Sequence, residues 1–211
     1  MKKTVLLIVL FVATSSIAQT VKYGVRGGLN LTNVDFEVSS GGASVGVDTD
    51  SRTSFYVGGF AEFSLPDSEH KIQTGLGYHA NGFKYNFDEE KGSFLISQIN
   101  IPALFKFNAA KGLYINGGAY VGIIVAAEAE VEYYDFFEDR TIKETEDVGD
   151  AFNTLDLGLS VGAEYNLENG IFFDLRYNYG LLDIATDEEG FDGETLEIKN
   201  RAFMLGLGYK F

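Results

Sequence analysis

The sequence predicts an all-β protein, an eight-stranded antiparallel up-and-down transmembrane β-barrel. Three observations predict this fold class. Apolar and polar side chains alternate with a period of two through most of the chain beyond residue 21, as they do in a strand with two different faces. The chain contains 25 glycines and only 2 prolines, a composition that favours many strands. Its long uninterrupted apolar run lies at the N-terminus, so the rest of the sequence offers no membrane-spanning helix.

The N-terminal segment has the features of an export signal. Two lysines precede an apolar stretch from Val5 to Ala13, and Ser16 and Ala18 are small residues at the positions that a signal peptidase reads. The apolar stretch is too short to span about 30 Å of hydrocarbon as a helix, which disfavours a retained membrane anchor. We therefore predict a cleaved signal peptide over residues 1–18 and a barrel domain over residues 19–211.

Eight segments carry the period-two pattern. In the first, Val25 and Leu29 share one face of the strand, whereas Arg26 and Asn30 share the other. We predict that the apolar face, including Val131 late in the fifth segment, contacts lipid and that the other face lines the lumen. The remaining segments lie around residues 55–65, 72–79, 98–107, 113–133, 155–165, 173–180 and 203–211.

Strand and connection lengths distinguish a membrane barrel from a soluble β-sandwich, whose strands also alternate. Most of the segments reach ten residues or more, whereas globular strands usually stop near about six. Outer-membrane barrels place long loops outside the cell and short turns in the periplasm, and an even strand count returns both termini to the periplasm. The predicted longer connections, residues 36–52, 86–93, 135–150 and 184–199, alternate in this way with short ones, residues 66–70, 108–112 and 168–170.

Composition excludes several classes of function. The chain has no cysteine, so disulfide frameworks, thiol catalysis and cysteine-based metal sites are excluded. Its formal net charge of −15, without a patch of lysine and arginine, argues against binding to nucleic acid. No phosphate loop, zinc motif or nucleophile elbow is present. We predict no cofactor, no metal site, no catalytic residues and no enzyme activity.

The predicted lumen collects charges of both signs. One reading is a proton or ion path, or an acid–base group of an enzyme. The favoured reading is structural, because charges in a narrow lumen of low dielectric constant must be paired to offset their desolvation. The predicted network comprises Arg26, Glu62, His79, Lys106, Asp156, Glu164, Asp174 and Arg176, and Lys22 and Lys210 share its parity.

Acidic residues concentrate in the predicted outer loops. Oxygen ligands of this kind suit calcium, but Phe191 occupies a ligand position in the segment from Asp187 to Glu194, so that segment fails the calcium-loop pattern. A solvated anionic surface is therefore favoured over a cation site. The acids are Glu128, Glu130, Glu132, Glu138, Asp139, Glu144, Glu146, Asp147, Asp187, Glu188, Glu189, Asp192 and Glu194.

The last strand resembles the C-terminal signature by which outer-membrane barrels are recognised for insertion. Its outward ladder, ending in phenylalanine, is Phe203, Leu205, Leu207, Tyr209 and Phe211. Four further segments, residues 58–63, 101–106, 157–163 and 175–181, are similar to the PorT-like outer-membrane β-barrel family of Bacteroidetes, small barrels of the OmpX and OmpA type. The resemblance implies a barrel in the outer membrane. The family's namesake is linked to protein secretion and gliding, and the family has no shared catalytic motif.

These observations lead to an expected function. We expect a monomeric barrel of the outer membrane with a side-chain-filled lumen, acidic extracellular loops and a structural or surface-interaction role. The alternatives are an accessory subunit of a secretion or transport complex, with an unidentified envelope protein as partner, and an envelope enzyme that modifies lipid. Expected partners are outer-membrane lipid, lipopolysaccharide and, during insertion, the barrel-assembly machinery.

Overall fold

The computed structural model describes residues 21–40, 43–87, 90–135, 140–186 and 195–211. The predicted signal peptide lies outside these residues. No helix in the described ranges is long and apolar enough to cross a membrane. The described elements are β1 (Val21–Ser40), β2 (Ala43–Val47), β3 (Asp50–Ser64), β4 (Lys71–Phe87), β5 (Glu90–Ala110), β6 (Leu113–Asp135), β7 (Arg140–Asp147), a 3₁₀ helix (Gly149–Ala151), β8 (Leu155–Asn166), β9 (Ile171–Gly180) and β10 (Thr195–Lys210).

Eight of the described strands form a closed antiparallel ring in the order β1, β3, β4, β5, β6, β8, β9, β10. The ring closes where β10 pairs with β1, from Gly24 opposite Lys210 to Ser39 opposite Thr195. Each ring strand therefore has a hydrogen-bonded neighbour on both sides, as lipid requires of backbone polar groups. The additional strands β2 and β7 pair with the far ends of β1 and β6. The predicted all-β antiparallel barrel is confirmed.

The two ends of the ring differ in their connections. Short turns over residues 65–70, 111–112 and 167–170 lie at one end, which we call the turn end. Gly112 and Gly170 adopt φ angles of 79° and 89° there, in the left-handed region that favours glycine. Both termini of the described barrel lie at the same end, because the Phe211 backbone N–H donates to the Tyr23 carbonyl at 2.9 Å. We call the opposite end the hairpin end.

Side chains alternate between the lumen and the outer surface along each ring strand. On β9, Asp174 and Arg176 are buried in the lumen, whereas Leu175 and Tyr177 are exposed on the outside. The exposed parity is apolar on all eight ring strands in the half of the barrel nearest the turn end. A continuous outward apolar band is the surface that a lipid bilayer matches.

Toward the hairpin end, the two faces of the wall exchange their chemical character. On β1, Val34 and Phe36 lie on the inner face, whereas Asp35 and Glu37 lie on the outer face. The same exchange occurs on four other strands, whose inner faces there carry Phe83, Ile96, Ile124 and Ile198. A wall that is apolar inside and polar outside is the arrangement of a water-soluble barrel. The ring therefore continues beyond the level of the apolar band as a water-facing barrel.

The predicted loops at this end are wrong in their conformation. Residues 36–52 contain the end of β1, all of β2 and the start of β3, and the described residues of 86–93 all lie in β4 or β5. All of residues 140–147, within the predicted loop 135–150, pair with β6 as β7. Side chains in these segments still alternate between two faces, but the apolar residues now lie on the inner face. The strands therefore continue past the point at which a pattern of lipid-facing apolar residues predicts that they end. Residues 187–194 of the fourth predicted loop lie outside the described residues.

A β-bulge in β6 overturns the predicted direction of Val131. Ser97 on β5 is opposite Ala126, whereas the next residue, Gln98, is opposite Ile124, so Val125 is an extra residue on β6. One extra residue shifts every later side chain to the other face of the sheet. Ala127 and Ala129 are consequently buried, and Glu128 and Glu130 are exposed. Val131 shares the inward parity.

Cysteine labelling tests the orientation of the barrel. Because the chain contains no cysteine, a single cysteine at Glu130, near the hairpin end, or at Glu168, near the turn end, gives a unique label site. We expect a membrane-impermeant maleimide to label Glu130→Cys in intact cells and Glu168→Cys after the outer membrane is permeabilised. Labelling of Glu168→Cys in intact cells would show that the barrel is inserted in the opposite orientation.

Candidate functional site

Two carboxylates and two lysines form a buried ion-pair cluster across the lumen near the turn end. The Lys106 ammonium lies 2.5 Å from Glu62 and 2.6 Å from Glu164. The Lys210 ammonium lies 2.9 Å and 2.6 Å from the same two carboxylates. Lys71 adds a third ammonium, 2.7 Å from Glu62. These residues come from β3, β4, β5, β8 and β10, so the cluster connects strands around the whole ring.

A second set of ion pairs lies at mid-height of the lumen. The Arg176 guanidinium donates to Asp174 at 3.0 Å, and an Arg26 nitrogen lies 3.7 Å from the same carboxylate. The Tyr56 hydroxyl also donates to Asp174, at 3.3 Å. A second nitrogen of Arg26 donates to the Gln73 side chain. Asp174 thus accepts hydrogen bonds from both sides of the lumen.

Amide side chains form the uppermost polar level. One oxygen of Asp156 accepts hydrogen bonds from Gln98 at 3.1 Å, Asn200 at 3.0 Å and the Tyr120 hydroxyl at 3.3 Å. Asn81 donates to the Gln98 oxygen at 2.5 Å. The three neutral donors replace the hydrogen bonds with water that this carboxylate loses when it is buried.

Aromatic side chains fill the space between the polar levels. The rings of Phe60 and Phe172 pack edge to face with centroids 5.6 Å apart, and the Arg26 guanidinium lies 4.3 Å from the Phe60 centroid. Glycines on the inner face leave the space that aromatic side chains in the lumen occupy. A Cβ atom at Gly206 would lie 2.1 Å from the Tyr56 hydroxyl oxygen. Any larger residue there would collide with Tyr56.

The structure places all eight residues of the predicted lumen network inside the barrel. Glu62, Lys106 and Glu164 meet at the turn-end cluster. The other members lie higher: Arg26, Asp174 and Arg176 at mid-height, His79 beside the Tyr56 ring at a centroid distance of 5.6 Å, and Asp156 at the amide level.

Sequence reasoning missed one member of the cluster and misplaced another residue. The period-two pattern could have predicted that Lys71 points inward, because it has the same parity as the inward residue Gln73. It was overlooked because it lies directly beside a turn. Lys22 has the inward parity and is nevertheless exposed at the turn end. Parity predicts the direction of a side chain, and the height of the residue in the wall decides whether the lumen covers it.

These contacts limit what the lumen can do. Five cationic groups and four carboxylates contact one another or neutral donors at three successive heights. An ion that entered the lumen would have to displace buried ion pairs, whose separation is costly. Within the described residues, no group of three or more histidine, aspartate or glutamate side chains could hold a metal ion.

An apolar cavity of about 550 Å³ lies above the amide level, toward the hairpin end. We call it the apolar chamber. Its lining includes Phe36, Phe83, Phe94, Phe152, Leu196 and Ile198. Sequence analysis missed it, because its residues lie either in predicted loops, as Phe36 and Leu196 do, or between the predicted strands and loops, as Phe83 and Phe94 do. The inverted alternation of apolar residues in those segments is the signal that could have revealed it.

The wall of the chamber is completed by segments outside the regular strands. The 3₁₀ helix Gly149–Ala151 leads to Phe152, which forms a bridge with Ala185. The Asn153 N–H donates to the Ile184 carbonyl at 2.8 Å, and the Ile184 N–H donates to the Ile198 carbonyl at 2.9 Å. These bonds bring the chain beyond β9 against β10, so the ring wall continues where β8 and β9 have ended.

The hairpin of β6 and β7 presents acidic residues to solvent. Glu128 and Glu130 are exposed on β6, opposite Asp147 and Thr145 of β7. Glu132 lies 2.9 Å from Lys143, and its carboxylate raises the pKa of that lysine by accepting its hydrogen bond. The predicted acids at residues 138–139 and 187–194 lie outside the described residues.

The predicted insertion ladder lies on the outer face of β10. Phe203, Leu205, Leu207, Tyr209 and Phe211 are 44% to 73% exposed, with Phe211 the most exposed. The ladder belongs to the strand that closes the ring against β1. Its side chains therefore lie in the outward apolar band, on the last strand of the ring.

Comparison with known proteins identifies the family to which the chain belongs. The model of the outer membrane protein beta-barrel domain family matches residues 17–186 of the chain. The chain belongs to this family. The search of curated proteins found no match.

The search of solved structures matched several bacterial proteins. The attachment invasion locus protein Ail of Yersinia pestis is 15% identical, with a TM-score of 0.46, and the match covers 90% of this chain and 99% of Ail. Neisserial surface protein A is 15% identical over 90% of this chain and 97% of that protein, with a TM-score of 0.47. OprG from Pseudomonas aeruginosa is 13% identical over 92% and 97%, with a TM-score of 0.46.

As a member of the family of outer membrane protein β-barrel domains, the protein is located in the outer membrane. The apolar band of the ring strands faces the lipid of that membrane. By the orientation common to such barrels, we expect the turn end to face the periplasm and the hairpin end to face the external medium.

Neutralising one carboxylate of the ion-pair cluster tests its structural role. Glu62→Gln keeps the shape of the side chain but leaves three lysines with the Glu164 carboxylate alone. We expect the free energy of unfolding in detergent micelles to fall by about 3–5 kcal/mol, because buried charges lose their partner. Glu168→Gln is the control, since the Glu168–Lys111 pair is about 90% exposed, and should cost about 1 kcal/mol or less. Equal losses in the two variants would contradict this role.

Two matched substitutions distinguish an effect of the insertion ladder on insertion in cells from an effect on the stability of the folded barrel. We expect Phe211→Ala to lower the amount of barrel inserted in cells, because the ladder resembles a signal that is read before the ring closes. Phe107→Ala also removes an outward phenylalanine near the turn end and should insert normally. Both purified variants should refold in detergent with similar heat-modifiable mobility, since one exposed aromatic contributes at most a few kcal/mol. Normal insertion of Phe211→Ala, or its failure to refold, would contradict the signal role.

Proposed function

We propose that the protein is a closed outer-membrane barrel with a structural or surface-interaction role, and that it is neither a channel nor an enzyme. The observation that carries this proposal is the pair of lysines, Lys106 and Lys210, that each bridge Glu62 and Glu164 across the lumen. A conduit needs a continuous water-filled path, whereas this cluster occupies the cross-section with buried ion pairs. The charged groups are engaged with one another, which supports a non-enzymatic role.

The outer part of the wall supports a role at the cell surface. The ring strands continue beyond the apolar band, and the hairpin of β6 and β7 carries exposed carboxylates at Glu128, Glu130 and Glu144. Such a surface favours partners of positive charge and disfavours nucleic acid. We infer that the barrel is a monomer surrounded by outer-membrane lipid and lipopolysaccharide and that the barrel-assembly machinery inserts it by the β10 ladder.

An accessory subunit of a secretion or transport complex is the alternative. Segments such as residues 101–106 and 175–181 resemble the PorT-like family, whose namesake is linked to secretion, and we infer membership of that narrower group. In the accessory role the exposed hairpin would dock against an envelope protein. The two roles differ in whether the barrel is isolated alone or within a large assembly.

Purification from native membranes followed by reconstitution tests the proposal. We expect a tagged full-length protein, extracted in mild detergent, to elute as a single barrel without large stoichiometric partners. In a planar bilayer it should give at most small, irregular conductance, because the ion-pair cluster blocks the lumen. Large uniform conductance steps would show a channel, and co-elution with a stoichiometric complex would favour the accessory role.

A further inference from the structure

The lining of the apolar chamber carries no charged side chain among the described residues. Its polar members are Thr49, Tyr85 and Thr186. The Thr49 hydroxyl already donates to the Asn33 side chain at 2.7 Å. Water in such a chamber finds few hydrogen-bond partners, whereas an apolar molecule gains contact with aromatic and aliphatic groups on several sides.

Buried isoleucines separate the chamber from the charges below. Ile96, Ile124 and Ile184 are buried in the same apolar cluster and lie between the chamber and the amide level. Below them, Asp156 is held by its neutral donors. At the wall itself, one oxygen of Asp183 accepts the backbone N–H groups of Ala185 at 2.9 Å and Ile198 at 2.8 Å, so this carboxylate is engaged by the wall. A charged ligand would therefore find no ionic partner among the described lining residues.

The size and rigidity of the chamber suit a single small ligand. Its volume of about 550 Å³ falls within the range of about 300–1,000 Å³ that is typical of small-molecule sites. Paired strands form most of its wall, and the rings of Phe83 and Phe94 are stacked with centroids 4.8 Å apart. Eight-stranded barrels are wide enough to hold one small ligand when their lumen is not filled by side chains.

We propose that the apolar chamber binds one small, neutral, apolar molecule from the external medium. An acyl chain of the membrane is disfavoured, because the outer face of the wall at this height carries Asp35, Glu37 and Lys199. Passage through the barrel is disfavoured by the ion pairs below the isoleucines. The chamber therefore holds its ligand at the cell surface. This activity goes beyond the proposed surface role and does not depend on the exposed hairpin.

A tryptophan reporter tests the proposal, because the chain contains no tryptophan. In full-length barrels in lipid nanodiscs, 4-bromotoluene should quench Phe36→Trp fluorescence saturably at one ligand per barrel. Its charged analogue 4-bromobenzoate should bind at least about 100-fold more weakly, since its carboxylate would be buried without a partner. The control Phe55→Trp lies on the lipid-facing surface and should show only non-saturating quenching by partitioned 4-bromotoluene. Leu196→Trp replaces Phe36→Trp if that variant does not fold.

A second pair of variants checks that the lining sets the preference. Thr186→Asp introduces a carboxylate into the chamber lining and should weaken binding of 4-bromotoluene at least about 10-fold. Thr145→Asp introduces the same group on the exposed hairpin and should leave binding unchanged.

Four outcomes would overturn the proposal. They are non-saturating quenching of both reporters, equal affinity for the neutral and charged compounds, no quenching because the chain itself fills the chamber, and quenching of Phe36→Trp by brominated acyl chains of the nanodisc lipid. The last outcome would assign the chamber to a lipid tail. None of these results concerns conductance or co-purification, so the proposed surface role is tested separately.

Discussion

At each height of the barrel wall, the polarity of the outer side chains must match the lipid or water outside, and the polarity of the inner side chains must match the contents of the lumen. Where lipid lies outside, the outer face is apolar, and the inner face carries the charged and amide groups that would be costly in lipid. Where water lies outside, Asp35 and Glu37 are on the outer face and Val34 and Phe36 are on the inner face. The lumen network and the apolar chamber are thus two consequences of one constraint at different heights.

Charge pairing follows from this constraint in the membrane-spanning part. A narrow lumen withdraws its ionisable groups from water, so each carboxylate there needs donors from other strands. Glu62 and Glu164 lie on β3 and β8 and are joined by lysines of β5 and β10. These bridges cross the interior between strands that are not neighbours. They stabilise one arrangement of the ring and fill the cross-section of the lumen with buried ion pairs.

In the water-facing part, the same alternation of side chains surrounds an open cavity, whereas in the membrane-spanning part it fills the lumen with side chains. Large residues such as Phe83, Phe94 and Phe152 pack along the wall, and the described lining residues carry no charge that needs a partner across the space. The polar level formed by Asp156, Gln98 and Asn200 closes the lumen below. The barrel therefore combines a membrane-spanning part whose lumen is filled by side chains with a concave part beyond the apolar band.

The sequence alone determined the fold class and the direction of most side chains in the membrane-spanning strands, because a period of two is a property of the local backbone. It also predicted which charges share the lumen, such as Arg26 and Asp174. Only the tertiary structure decided which of them meet, since Glu62 and Lys210 are 148 residues apart and come together through ring closure. It alone revealed the bulge at Val125 and the apolar chamber. Both depend on pairing between strands, which local alternation does not encode. The bulge is visible only in the register of β5 with β6, and the inverted alternation of single segments does not show that they surround one cavity.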